Sequence, residues 1–350
     1  MKAVINNSEA KPEYIETYSM EDLNLKEGFC KIKVLYASLN PVDWKILSED
    51  SAGKVIGCDA VGMIVEQGPG VEEILESNCV DVSKPVVMHI NISSSFGAIS
   101  EYTIANSHVL INVPEYLSAK QAAAVPCAGY TALQCIVKCG TEPNPDDMNN
   151  FLLINGASGG VGSFSILLAK QLGWTVIAVA STANKEYCVD ELGADHFIDY
   201  RTENIVERVS EITNGDGCIA IIDNQSHRGM ALLSLVSNNG FYVPVPGLWD
   251  KFKYDGLDLL VRGINICHVG LGAAAYSTKA PLTHTKRHLK HLCQLAKQFF
   301  YILGVPSSIA RLTGSFKITE IEMADVPDIM HQMQSQHSTG KYVVRVSAEE

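Results

Sequence analysis

The sequence has no Cys-x-x-Cys pair, no tight cysteine cluster, and no apolar run approaching the roughly 18 residues of a membrane helix. Its N-terminus, Met1-Lys2-Ala3-Val4-Ile5-Asn6-Asn7, lacks the apolar stretch of roughly 7–15 residues found in secretory signals. Basic charge is scarce: 27 Lys and Arg stand against 39 Asp and Glu, a net charge of −12. Such a chain repels phosphate backbones and anionic lipid, so neither nucleic acid nor membrane is an expected partner. Internal repeats and low-complexity segments are also missing. What is present is a core: 47% of the residues are apolar and 19% charged, the balance of a globular protein. A length of 350 residues suggests two domains. Cys30, Cys58, Cys79, Cys127, Cys135, Cys139, Cys188, Cys218, Cys267 and Cys293 are scattered, which reads as reduced, mostly buried thiols in a cytoplasmic protein.

Residues 1–125 read as β-rich. Phe29–Leu39 alternates polar and apolar positions, Val61–Glu66 and Pro85–Ile90 read as further strands, and glycine and proline punctuate the stretch. From Phe151 the rhythm becomes strand–helix alternation, the mark of a parallel sheet. Strands are expected at Phe151–Asn155, Thr175–Ala180, His196–Asp199, Cys218–Ile222, Phe241–Val245 and Ile264–Val269. Helices are expected at Val161–Leu172, Asn184–Leu192, Thr202–Thr213 and Met230–Val236, the last closed by Asn239-Gly240. A long helix follows at Thr285–Leu303. Phe316–Met323 and Lys341–Val346 read as strands around a helix at Val326–Met333. These last strands are expected to rejoin the N-terminal domain, making the parallel domain an insertion.

Asn155-Gly156-Ala157-Ser158-Gly159-Gly160-Val161-Gly162 follows an apolar strand and opens a helix. Glycines there let the backbone approach a pyrophosphate, and the helix N-terminus supplies free N–H groups. Gly159 and Gly162 fill two positions of a G-x-G-x-x-G pattern, with Ala157 in the first. An NAD site wants a carboxylate at the end of the second strand, to hold the ribose 2′-hydroxyl. Thr175–Ala180 ends instead in Ser181-Thr182, with Lys185 following. That pattern favours NADPH.

Several segments carry a family resemblance: Asn40-Pro41-Val42-Asp43-Trp44-Lys45, Gly57-Cys58-Asp59-Ala60-Val61-Gly62, Ala128-Gly129-Tyr130-Thr131-Ala132, the Ala-Ser-Gly-Gly-Val-Gly turn, Ala194–Arg201 and Thr339–Val344. Together the chain resembles the medium-chain dehydrogenase/reductase superfamily, on its zinc-independent, quinone-oxidoreductase-like branch. The resemblance implies an α/β protein: a GroES-like β-rich catalytic domain (1–125 and 310–350) with an inserted doubly wound Rossmann domain (126–309). It implies a cofactor in the interdomain cleft and a homodimer. By position it places Ser158, Gly159, Gly160, Val161 and Gly162 at the pyrophosphate, and Ser181, Lys185 and Tyr200 around the 2′-phosphate. Thr131 and Asn40 fall near the nicotinamide and the reacting carbon.

The zinc-dependent relatives' ligand positions fall by resemblance on Asn40, Cys58 and Cys127. Asn is a poor zinc ligand, so no metal is expected, and Cys58 and Cys127 are read as buried thiols, although Asp43 or Asp59 could join them around an ion. His284, His288 and His291 share a helix face but sit among Lys286, Arg287 and Lys290, which reads as a solvated basic surface. Without a Lewis acid, alcohol oxidation is disfavoured. Hydride transfer from NADPH to a quinone or an α,β-unsaturated carbonyl is the expected activity, with Asn40, Tyr130, Thr131 and Trp44 as candidate site residues and Asp43 ordering its loop. Two alternatives stand beside it: a dedicated enoyl reductase of a biosynthetic pathway, and a nucleotide-binding protein without turnover.

Overall fold

The computed structural model describes residues 1–19, 25–90, 96–140, 143, 149–225, 229–245, 256–271, 282–335 and 338–348. The chain divides into two compact units. One comprises Met1–Tyr130, Leu271–Phe300 and Lys317–Glu350; the other comprises Thr131–Gly270 and Tyr301–Phe316. Leu271–Phe300 thus belongs to the first unit, whereas the sequence reading assigned it to the inserted domain. Among the described residues no helix is long and apolar enough to cross a membrane.

The first unit is built on a seven-stranded sheet. Its long strand, Phe29–Ser38, alternates buried and half-buried positions, as the polar–apolar alternation requires. One edge pairs antiparallel with Asp59–Gln67. The other edge is shared: Phe29–Lys33 pairs with Tyr102–Asn106, and Tyr36–Ser38 with Lys341–Arg345. Asp59–Gln67 pairs in turn with Val86–His89. The C-terminal strands Ile318–Glu322 and Lys341–Arg345 run parallel to one another at the sheet margin, so both chain ends contribute to this unit.

The second unit holds a six-stranded parallel sheet. Its spatial order is His196–Asp199, Thr175–Ala180, Phe151–Asn155, Cys218–Asp223, Val236–Pro244, Asn265–Ile266. This is the strand order of a dinucleotide-binding doubly wound fold, in which the order reverses beside the first strand. The core packs Leu153, Ile177, Ile198, Val209, Ile221 and Tyr242 on one another. Burying each such side chain contributes about 1.5–3 kcal/mol.

Two local expectations change. Val236, read as the end of a helix, opens a strand and pairs with Cys218; the next register pair is Ala220 with Phe241. The residues between form a bulge in which Asn239 takes φ 62°, so Asn239-Gly240 kinks a strand and does not close a helix. The segment after Ser181 is helical but irregular: tight at Thr182–Asn184 and wide at Tyr187–Glu191. There Leu192 N–H reaches back to Tyr187 C=O. The expected helix Thr285–Leu303 runs from Leu282 to Leu303; the side chains of His284 and His288 lie outside the described residues.

Candidate functional site

In the second unit, Phe151–Asn155 delivers the chain to the glycine turn and the helix Gly160–Gln171 leaves it. Gly156 takes φ 73°, a left-handed conformation that glycine adopts without strain. Gly156 and Ala157 N–H both donate to Val179 C=O, tying the turn to the neighbouring strand. A Cβ on Gly162 would stand 2.3 Å from Gly156 O and 2.7 Å from Ala157 Cα, so only glycine lets the helix approach so closely. Gly159 is different: a Cβ there would meet nothing nearer than Gly156 O at 3.6 Å. Ser158, Gly159, Gly160 and Val161 are half-buried and Gly162 buried. The first N–H groups of the helix have no intrahelical acceptor.

Asp223, at the end of the adjacent strand, is fully buried. It accepts from Asn155 Nδ2 (2.7 Å), the Tyr242 hydroxyl (2.6 Å) and Gln225 N–H (2.9 Å). Burial first, then this carboxylate, holds the Tyr242 hydroxyl far above its ordinary range. Asn224 donates from both its backbone and its side chain to Asn155 C=O. These bonds fasten the strand ends beside the glycine turn, a role the sequence reading did not assign to Asp223.

The strands Thr175–Ala180 and His196–Asp199 end side by side, with Asp199 opposite Ala180 and Tyr200 N–H donating to Ala180 C=O. Ser181, Tyr200 and their neighbours are thereby brought together; Lys185 is exposed on the segment that follows. Arg201, which sequence reasoning missed, lies over the Tyr200 ring at 5.7 Å and donates from Nε to the Tyr200 hydroxyl at 3.3 Å. Asp199 accepts from the Thr182 hydroxyl and from Arg201 N–H. The Thr182 bond first, then the backbone donors, holds its carboxyl below the ordinary range.

In the first unit, Asn40 is 2% exposed and its amide is fully engaged. Lys341 Nζ donates to Asn40 Oδ1 at 2.5 Å, and Asn40 Nδ2 donates to Asp59 Oδ2 at 2.8 Å. Asp59 also accepts from His89 Nδ1 (2.8 Å), from the Ser38 hydroxyl (3.3 Å) and from Cys127 N–H (3.0 and 3.1 Å). Burial alone would raise the Asp59 carboxyl; the hydrogen bond and charge of His89, with Lys341 and Cys127 N–H, bring it below the ordinary value. For His89 burial pulls downward, and the bond to Asp59 outweighs it and raises the imidazole. Asp43 accepts from Asn40 N–H at 2.7 Å, which matches its expected loop-ordering place. Burial, then the charge of Asp59, pushes its carboxyl up to about 7.

Tyr130 is buried with its ring edge-on to Phe299 at 5.9 Å, and burial holds its hydroxyl well above the ordinary range. Thr131 and Trp44 are half-buried. His89 was not named from the sequence. Its only signal was a titratable residue closing the otherwise apolar strand Val86–His89.

Comparison with known proteins agrees with this architecture. Residues 26–115 match the alcohol dehydrogenase GroES-like domain and residues 160–284 match the zinc-binding dehydrogenase family. A trans-enoyl reductase of Aspergillus terreus is 32% identical over 211 residues, 57% of this chain and 56% of that protein. An NADPH-dependent alkenal/one oxidoreductase of Arabidopsis thaliana chloroplasts is 36% identical over 65% of this chain and 61% of that protein. The chain thus matches a little over half the length of these relatives. A quinone oxidoreductase from Coxiella burnetii shares the fold with TM-score 0.71, at 24% identity over 99% of each chain. The chain belongs to the medium-chain dehydrogenase/reductase superfamily, whose two domain models match it in order, and it is similar to a chloroplast envelope quinone oxidoreductase homolog of Arabidopsis thaliana, at 33% identity over 49% of this chain and 52% of that protein.

The zinc-binding description of one matching family calls for a test of fit. Cys58, Asp59, His89 and Cys127 offer donor atoms within 4.8 Å of one another, and sulfur, nitrogen and carboxylate donors suit zinc. The charges and bonds already there do not. Both Asp59 oxygens accept hydrogen bonds, and the Lys341 ammonium stands one amide away. Burial holds the Cys58 thiol well above its ordinary range, so an ion would first have to displace its proton. The residues do not fit a resident zinc ion.

Proposed function

We propose that the protein is an NADPH-dependent reductase that delivers hydride to quinones or α,β-unsaturated carbonyl compounds without a metal step. The observation that carries the reading is the pairing of the Gly162-packed turn with an adjacent strand end where Ser181, Tyr200 and Arg201 gather and no acid closes the second strand. In this reading Ser158, Gly159, Gly160, Val161 and Gly162 receive the pyrophosphate, while Ser181, Lys185, Tyr200 and Arg201 receive the 2′-phosphate. Asp199 is occupied by the Thr182 hydroxyl and Arg201 N–H.

NADPH held by these residues would supply a hydride to the electrophilic carbon, leaving the substrate oxygen as an enolate or phenolate to be protonated. The protein's contribution is position and hydrogen bonding. Asn40, a catalytic candidate from the sequence, has its amide committed to Lys341 and Asp59, so its part is to organise the site. Tyr130 packs as a neutral phenol. Thr131 is the candidate hydroxyl left half-exposed. The similarity to the Aspergillus trans-enoyl reductase favours one second reading, a dedicated reductase for an acyl enone.

The test is initial rates of NADPH oxidation with a panel of quinones, enals and enones, repeated with NADH and after chelation. Chelator-insensitive turnover preferring NADPH supports the proposal, and one dominant acyl substrate selects the second reading. NADPH binding with no acceptor turned over refutes the enzymatic reading.

A further inference from the structure

We propose that Lys341 takes the place of a metal ion's charge beside the Cys58–Asp59–His89–Cys127 cluster, and that with Asp59 it clamps Asn40 in a metal-free junction of the catalytic unit. Five separate chain segments meet there. Asn40 lies just past the long strand Phe29–Ser38, at the N-cap of the helix Pro41–Lys45, and Asp59 opens the next strand with Ser38 as its register partner. His89 closes the third strand as the register partner of Asp59. Cys127 lies in the first turn of the helix Pro126–Lys138 and donates its N–H to both Asp59 oxygens. Lys341 opens the C-terminal strand and reaches both Leu39 C=O at 2.9 Å and Asn40 Oδ1 at 2.5 Å.

A lysine at 4% exposure persists only where anions and acceptors compensate it. The Lys341 ammonium feels both Asp59 and Asp43, and the carbonyl acceptors complete its shell. Asn40 is the relay: its oxygen faces the cation and its nitrogen faces the anion, so its amide dipole is aligned between them. An amide serves this place better than a thiolate would, because it can accept from an ammonium and donate to a carboxylate at once. A divalent ion entering the cluster would have to expel the thiol protons, strip Asp59 of its donors, and sit within range of a buried ammonium. The charge that such an ion would bring is already supplied by Lys341, and His89 occupies an Asp59 oxygen that the ion would need.

The test uses the full chain. Zinc content after zinc exposure and desalting is measured by plasma mass spectrometry, Co²⁺ titrations are read for a thiolate-to-cobalt absorption band, and melting is followed with zinc or EDTA. The native chain is expected to carry no stoichiometric zinc, to give no band, and to melt unchanged. Lys341→Met is expected to melt lower and to gain a cobalt band that the added Cys58→Ser change abolishes; Lys341→Arg, which keeps the charge, is expected to exclude cobalt. Stoichiometric zinc or a cobalt band in the native chain overturns the proposal, and this arm stands even if Lys341→Met does not fold. A folded Lys341→Met chain with native melting and no cobalt band also overturns it. None of these readouts depends on NADPH turnover.

Discussion

Replacing Asp43 with Asn should remove a pH-dependent burden from the fold. Asp43 is 1% exposed, and its carboxyl is pushed from 3.8 to about 7 by burial and by Asp59. The folded chain therefore holds this proton more tightly than the unfolded chain. As pH rises above the unfolded value, the unfolded state releases its proton first and native stability falls; the fall ends above the folded value. Each pH unit in that window is worth about 1.4 kcal/mol. Between about pH 5.5 and pH 8.5 the window covers roughly 1.5 units, so the native chain should lose about 2 kcal/mol relative to Asp43→Asn. The amide oxygen of Asn can still accept from Asn40 N–H, the bond Asp43 makes at 2.7 Å. Melting curves of both chains across this range are the assay. Their difference should widen by about 4–8 °C, from about 2–4 °C per kcal/mol in a unit of this size. A difference that stays constant across the range refutes a buried carboxyl that titrates near neutrality.

The two glycines of the turn should separate folding from binding. Gly162→Ala forces a Cβ against backbone and should cost about 1–3 kcal/mol of stability, seen in the melting temperature. Gly159→Ala has room and should melt normally while weakening binding of 2′,5′-ADP, read by calorimetry. Arg201→Ala should weaken 2′,5′-ADP binding roughly tenfold, about 1.4 kcal/mol for one charge-assisted contact, and leave 5′-AMP binding unchanged. Asp59→Asn leaves His89 and Lys341 without their buried anion and should destabilise the chain by about 3–5 kcal/mol, measured by urea unfolding.

The parallel sheet was legible because its signals are local. Phe151–Asn155, Thr175–Ala180 and His196–Asp199 form strands over the ranges that the apolar runs and flanking glycines imply. The helix Val326–Met333 is likewise where its apolar spacing puts it. Signals that depend on register were not legible. Asp59 and His89 are cross-strand neighbours across an antiparallel pair, and a separation of 30 positions in sequence does not reveal that pairing. Lys341 meets Asn40 across 301 residues, a contact that no spacing rule anticipates. The bulge before Phe241 hid for a related reason: Asn239-Gly240 signals a change of direction, and only the partner strand shows that pairing resumes after it.

Asp59 and Asp223 put a buried acid to the same structural use in the two sheets. Each ends or begins a central strand, each is fully buried, and each is saturated by donors from neighbouring segments. A buried carboxylate in this state holds several strand ends at fixed distances, because losing any one donor leaves charge uncompensated at low dielectric. The proposed hydride transfer requires such rigidity of its scaffold, since the transfer tolerates little error in the approach of the two carbons. Both acids therefore serve the geometry of their strands, and in the proposed reading the groups left to meet ligand are backbone N–H groups, hydroxyls and exposed cations.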